Sequence, residues 1–295
     1  MRELLHGQIV AAFGRQYLVQ LDDGSNITCL TRGKKSKAAC GDKVEIKRTA
    51  DALTNNGAGM QGVIEHIGTR RSLLHRSVAF REKLIAANVT QVIVVVAAEP
   101  SFSDELLARC LVAAFDQKLE VLIVLNKCDL STADDARKRL STYRNIGYRV
   151  VELSALQDVS SLRPYLHGHT SVLVGQSGMG KSTLINALLP SAQAVTREIS
   201  AVLDSGKHAT THARLYRIDS DSGLIDCPGV QAFGLHHLSF GRIEQGFVEF
   251  APYLGQCRFH DCRHRLEPGC ALSNAVEDGK IDARRLELFR QIAGK

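Results

Sequence analysis

No apolar run in the 295 residues approaches the ~18 that a membrane-crossing helix needs, which excludes a helical membrane protein. The start, Met1-Arg2-Glu3-Leu4-Leu5-His6-Gly7-Gln8, lacks the apolar core of a secretory signal, so a cytoplasmic protein is expected. Extreme charge is also missing: a formal net charge of +6, with 23% charged and 44% hydrophobic residues, is ordinary for a folded soluble chain. Placement of charge says more than its sum. Arg70, Arg71, Arg76, Arg81 and Lys83 stand against the single acid Glu82, and Arg32, Lys34, Lys35 and Lys37 form a second basic run. Either run suits phosphate contact or a solvated face. Cys29, Cys40, Cys110, Cys128 and Cys227 are scattered and expected to be reduced, whereas Cys257, Cys262 and Cys270 crowd together near the end, which in a cytoplasmic chain favours metal over disulfides.

The length suits about two domains, or three if the terminal ones are small. Residues 1–68 read as five short strands, with Asp22-Asp23-Gly24 as a hairpin turn. A small barrel follows, either an OB fold, which commonly binds oligonucleotides, or an SH3-like barrel with a structural role. From about residue 90 strands alternate with helices: strands over 91–97, 121–125, 149–153 and 171–174, and helices over 103–118, 133–144 and 159–166. This is the rhythm of a doubly wound α/β domain, assigned to 69–235. Arg214 to Asp219 and Gly223 to Asp226 read as a hairpin of strands. Beyond Gly234 the chain is helical, with helices near Ser239–Phe250 and Ile281–Ile292, and 236–295 forms a third unit.

Gly175-Gln176-Ser177-Gly178-Met179-Gly180-Lys181-Ser182 fits G-x-x-x-x-G-K-[ST] between the strand ending at Val174 and a helix beginning near Thr183. The glycines let backbone N–H groups converge on phosphate, Lys181 reaches the β/γ-phosphates and the Ser182 hydroxyl binds Mg²⁺. A glycine-rich turn that binds nothing is the bland alternative. Asn126-Lys127-Cys128-Asp129 follows the strand ending at Leu125. N-K-x-D at that place reads guanine: the Asp129 carboxylate accepts from N1–H and the exocyclic amine, while Asn126 and Lys127 brace neighbouring loops. Adenine would leave polar groups unpaired at ~1–3 kcal/mol each, so GTP is preferred to ATP. A helix cap would explain N-K-x-D alone, but not beside a phosphate loop. Ser154-Ala155, one strand–helix unit later, suits a backbone contact to guanine, and Asp226-Cys227-Pro228-Gly229 fits D-x-x-G, with Asp226 holding Mg²⁺ through water and the Gly229 N–H sensing the γ-phosphate. Thr210, favoured over Thr211, completes the Mg²⁺ shell.

N-K-x-D and S-A precede the phosphate loop, the reverse of an ordinary GTPase, so the chain reads as a circularly permuted one. The water-orienting Gln after D-x-x-G is missing, because Val230 stands there and Gln231 is one step late. Unaided hydrolysis should be slow. His208 is the neighbouring side chain able to bind water at neutral pH, or else it serves loop structure only. Cys257, Cys262, His264 and Cys270 have the spacing C-x4-C-x-H-x5-C, a closed tetrahedral donor set for a structural Zn²⁺, with His260 a rival imidazole and free buried cysteines the alternative to a site.

Taken together, these motifs resemble the ribosome small-subunit-dependent GTPase A family, the small ribosomal subunit biogenesis GTPases, over nearly the whole chain. The resemblance implies an OB barrel, a permuted P-loop GTPase domain and a C-terminal helical zinc domain. It further implies a cytoplasmic, monomeric GTPase that binds the 30S subunit and 16S rRNA late in assembly and hydrolyses GTP faster when bound. His208 and Val230 match the family's pattern. Ala209 departs from a common His-Thr-Thr run, which puts the choice of the Mg²⁺ threonine in question. A GTP-gated RNA-binding module without turnover is a competing reading. A metabolic P-loop kinase would leave Asn126 to Asp129 and the cysteine cluster without a role.

Overall fold

A computed structural model describes residues 4–32, 38–49, 61–78, 81–190, 213–227 and 233–294. Strands β1 (Leu4–Phe13), β2 (Gln16–Leu21), β3 (Asn26–Thr31), β4 (Lys43–Arg48) and β5 (Gln61–Ile67) close on themselves in the order β1-β2-β3-β5-β4-β1. That is the closed OB-fold barrel. Alternate residues point inward because strand side chains have a period of two, and Ile9, Val19, Ile27, Val44 and Ile46 fill the interior. Gly24 turns the β2–β3 hairpin at φ +85°, where Asp23 Oδ1 accepts from the Ser25 N–H at 2.8 Å. The barrel is clasped to the next unit by Asp42, whose buried carboxylate takes two hydrogen bonds of 2.7 Å from Arg70 and one of 2.8 Å from the Ala39 N–H.

A hairpin, β6 (Leu73–Val78) and β7 (Arg81–Ala87), includes Arg76, Arg81 and Lys83 of the basic run that the sequence left without structure, and Arg70 and Arg71 lie just before it. Then comes the α/β unit: β8 (Gln91–Ala97), α1 (Asp104–Asp116), β9 (Glu120–Asn126), α2 (Ala133–Asn145), β10 (Arg149–Glu152), β11 (Thr170–Val174), α3 (Lys181–Leu188), β12 (Arg214–Arg217) and β13 (Gly223–Asp226). The strand order β10-β9-β8-β11-β13-β12 is parallel except for β12, and β12 joins the barrel through β1, giving one eleven-stranded sheet. Every residue of β8 is buried, as expected of a strand covered on both faces. The order reverses between β8 and β11, and a ligand crevice lies at such a switch point.

Two expected helices are corrected. Residues 159–166 form a 3₁₀ turn, Ser160–Tyr165, because Pro164 has no N–H to give and its ring disfavours an α-helix. The helix expected near Ser239–Phe250 breaks into α4 (Phe240–Gln245) and a 3₁₀ turn, Val248–Tyr253. Gly246 ends α4 where an added Cβ would lie 3.0 Å from the Val112 backbone on α1, so the close approach of the two elements needs a glycine. Two helices follow, α5 (Ala271–Glu277), which sequence periodicity did not reveal, and α6 (Ala283–Ala293), capped by Asp282. Phe247, Phe250 and Phe289 are fully buried and pack ring against ring at 5.1–5.5 Å. No described helix is long and apolar enough to cross a membrane.

Candidate nucleotide pocket and metal centre

Gly175 to Gly180 leave the end of β11 as a loop and Lys181 opens α3. Gly175, Gly178 and Gly180 have φ of +149°, +83° and +86°. A Cβ on Gly180 would collide with Asn126 Nδ2, and one on Gly175 with the Val95 carbonyl, so this path is open to glycine alone. Its backbone N–H groups remain at a helix N-terminus, the geometry that binds phosphate. Met179 is buried beneath the loop, while Ser177, Gly178 and Ser182 are exposed and Gln176 and Thr183 half-buried. Lys181 curls over the loop and donates from Nζ to the carbonyls of Gly175 at 2.6 Å and Gln176 at 2.8 Å.

Asp226 ends β13, in register with Leu173 on β11, and so reaches the same crevice. Burial pushes its carboxyl pKa up, an effect that Lys181 opposes, and burial likewise pulls the Lys181 ammonium down, opposed by Asp226. Both groups are held at a cost unless an added ligand of complementary charge relieves them.

Asn126 ends β9 and is buried. Its Nδ2 donates to the Met179 carbonyl in the phosphate loop at 2.9 Å, and its Oδ1 accepts from the Ala155 N–H at 2.9 Å. One side chain therefore ties the phosphate loop to the Ser154-Ala155 turn. Lys127, at φ +62°, donates from Nζ to the Glu99 carbonyl at 2.7 Å, and the Cys128 N–H donates to the Leu153 carbonyl at 3.2 Å. Asp129 is exposed, and a hydrogen bond from Ser154 holds its carboxyl below the usual value, ionised and able to accept two N–H groups. His208, Thr210, Thr211, Gly229 and Val230 lie outside the described residues.

The loop from Glu99 to Ser103 is a wall of this pocket that sequence reasoning missed. Gln176 Oε1 accepts from the Ser103 N–H at 2.6 Å, and Pro100 packs against Gly178. Ser103 caps α1, and nothing in the chain marked its contact with a loop more than seventy residues away.

Cys257, Cys262, His264 and Cys270 converge, with one ligand atom from each lying within 4.8 Å of all the others. His264 Nδ1 stands 3.6 Å from Cys257 Sγ, 3.6 Å from Cys262 Sγ and 3.3 Å from Cys270 Sγ. Tetrahedral Zn²⁺ with bonds of about 2.05 Å to nitrogen and 2.3 Å to sulfur requires an N···S edge of about 3.6 Å, so the donor set fits zinc. His260 is exposed and outside this cluster. Two further residues, both missed in the sequence, hold His264. Glu244 on α4 contacts Nε2 at 2.5 Å, and Arg290 on α6 donates to the His264 carbonyl at 2.6 Å. Twenty residues separate Glu244 from His264, beyond the reach of a spacing argument.

Comparison with known proteins supplies independent findings. The RsgA GTPase family model matches residues 67–236. The small ribosomal subunit biogenesis GTPase RsgA of Nitrosospira multiformis is 56% identical over 289 residues, 98% of this chain and 90% of that protein. Its counterpart from Nitrosomonas europaea is 50% identical over 292 residues, again 98% and 90%. Among solved structures, YjeQ from Thermotoga maritima superposes with a TM-score of 0.71 at 30% identity, covering 99% of this chain and 98% of that one. YloQ, described as a circularly permuted GTPase, gives 0.69 at 27% identity, covering 99% and 94%.

Proposed function

The chain belongs to the RsgA GTPase family and hydrolyses GTP, and from that premise we propose that it is a late-stage assembly factor of the small ribosomal subunit. In this reading it works in the cytoplasm as a monomer, binds 16S rRNA in the 30S subunit, and turns over GTP faster when bound there. The names of the relatives, small ribosomal subunit biogenesis GTPases, support the assignment. Units of 1–68, 69–235 and 236–295 would then be the barrel, the permuted GTPase domain and the zinc-binding helical domain. From the two basic runs, Arg76, Arg81 and Lys83 and Lys34, Lys35 and Lys37 would supply positive charge for an RNA backbone, whereas Arg70 is engaged by Asp42 and Arg32 by Glu65.

The observation that carries the nucleotide part is Asn126, which bonds the phosphate loop and the Ala155 turn at once. With both loops tied to one residue, Asp129 reads the guanine edge while the amides of Gly175 to Thr183 and the Lys181 ammonium grip phosphate. Lys181 would exchange two backbone carbonyls for phosphate oxygens. Ser182, Asp226 and Thr210 are the residues that would hold Mg²⁺, which when bound neutralises charge developing on the β- and γ-oxygens. Gly229 would sense the γ-phosphate and His208 would orient the attacking water. Cys257, Cys262, His264 and Cys270 would hold one structural Zn²⁺ per chain.

Multiple-turnover phosphate release, measured with and without purified 30S subunits, tests the proposal. Release should rise with subunits and lose that rise as salt increases, since phosphate contacts release counterions. Equal rates with and without subunits at low salt would overturn the assembly role.

A further inference from the structure

Asp104 is the first residue of α1, where a carboxylate already suits the helix N-terminus and needs no partner. Here it is nearly fully buried and takes two guanidinium groups from two other elements. Arg139 of α2 donates from Nη2 at 3.1 Å, and Arg284 of α6 pairs with the same carboxylate oxygen, Oδ2. The residues just before Asp104 line the nucleotide pocket, through Ser103 to Gln176, Pro100 to Gly178 and the Glu99 carbonyl to Lys127. Arg139 pins the same stretch from behind, bonding the Phe102 carbonyl at 2.7 Å and stacking 3.8 Å above its ring.

From this geometry we infer that Asp104 is a positioning residue for nucleotide binding, and that Arg284 reaching from the last helix sets its position. The stretch 99–104 is a strap. One side holds the phosphate loop and the guanine-reading loop, and the other is anchored by Arg139 and by a residue of the C-terminal unit. The anchor lies on the helix that also holds the metal ligand His264, through Arg290 and through Phe289, whose ring lies 5.9 Å from the imidazole. The C-terminal unit thus bears on the nucleotide pocket through the strap.

The inference rests on the nucleotide pocket of the proposed function, and one set of release and turnover measurements separates the two. Release of a fluorescent GDP analogue and GTP turnover are measured on the full-length protein without ribosomes. Arg284→Ala, at a side chain 64% exposed, should fold normally. It should speed GDP release by about 2- to 30-fold and raise the KM for GTP with kcat unchanged. Arg284→Lys should recover most of the loss. Glu287→Ala, exposed on the same helix, should behave as wild type. Asp104→Asn should reproduce the defect, and the double variant Asp104→Asn/Arg284→Ala should be no worse than the more affected single. Wild-type release from Arg284→Ala, or an equal defect in Glu287→Ala, would overturn the role of Asp104. Failure of the wild type itself to bind the analogue would strike the pocket reading instead.

Discussion

Truncating Glu244 to alanine should weaken zinc binding by about 10- to 100-fold, or about 1.4–2.7 kcal/mol. The expectation follows from which imidazole nitrogen does what. Nδ1 faces the three sulfurs at 3.3–3.6 Å; with Zn²⁺ held among them Nδ1 would be the ligand, and Nε2 would carry the proton and donate it to Glu244 Oε1. Only 4% of His264 is exposed, and without Glu244 its N–H would have no acceptor and little water, at a cost of ~1–3 kcal/mol. The carboxylate also makes the ring a better donor to the metal, which an amide would not do as well. Glu244→Gln keeps an acceptor oxygen and should lose less than Glu244→Ala. Zinc transfer from the intact protein to a chromophoric chelator measures both variants against wild type. The reasoning is refuted if Glu244→Ala holds zinc as tightly as wild type, or if the amide variant is the weaker of the two.

Arg285 and Glu249 form an ion pair with side-chain exposures of 2% and 7%. Glu249→Ala should cost about 3–5 kcal/mol by stranding a buried guanidinium, whereas Arg285→Met with Glu249→Leu should recover most of it. Urea unfolding decides, and a loss below about 1 kcal/mol for the single variant would contradict the account. Asp226→Asn should stabilise the ligand-free fold at neutral pH while, on the proposed role of Asp226, abolishing GTP turnover. The folded-state carboxyl pKa lies above the unfolded value, so stability falls as pH rises from the unfolded pKa through the folded one, and the deficit persists at higher pH. The variant should lack that decline, and thermal melting from acid to neutral pH would expose the error if both proteins showed it equally.

What could be read from the chain depended on the distance over which each signal acts. The alternation of β1 to β5 and the buried run of β8 declare themselves within a few residues, and so do the phosphate loop and Asn126 to Asp129, because their chemistry fixes residue type at fixed spacing. The β6–β7 hairpin was hidden because its polar residues read as a basic run. The break at Gly246 depends on Val112, more than a hundred residues away in the chain. Glu244, Arg290 and the Glu99–Asp104 strap were invisible for the same reason: each acts on a partner brought near only by folding. Periodicity also favoured a helix over 159–166, and Pro164 prevailed by removing a backbone donor.

Among the described residues, closing β4 back onto β1 leaves the eleven-stranded sheet with one terminal strand, β10. A strand end-on to solvent invites a second molecule to zip onto it, and here the invitation is brief: Arg149 to Glu152 is four residues, charged at both ends. Glu152 is further occupied by Arg137 and Arg144, whose guanidiniums crowd that border. The barrel closes one border of the sheet, and this charged cluster covers the other.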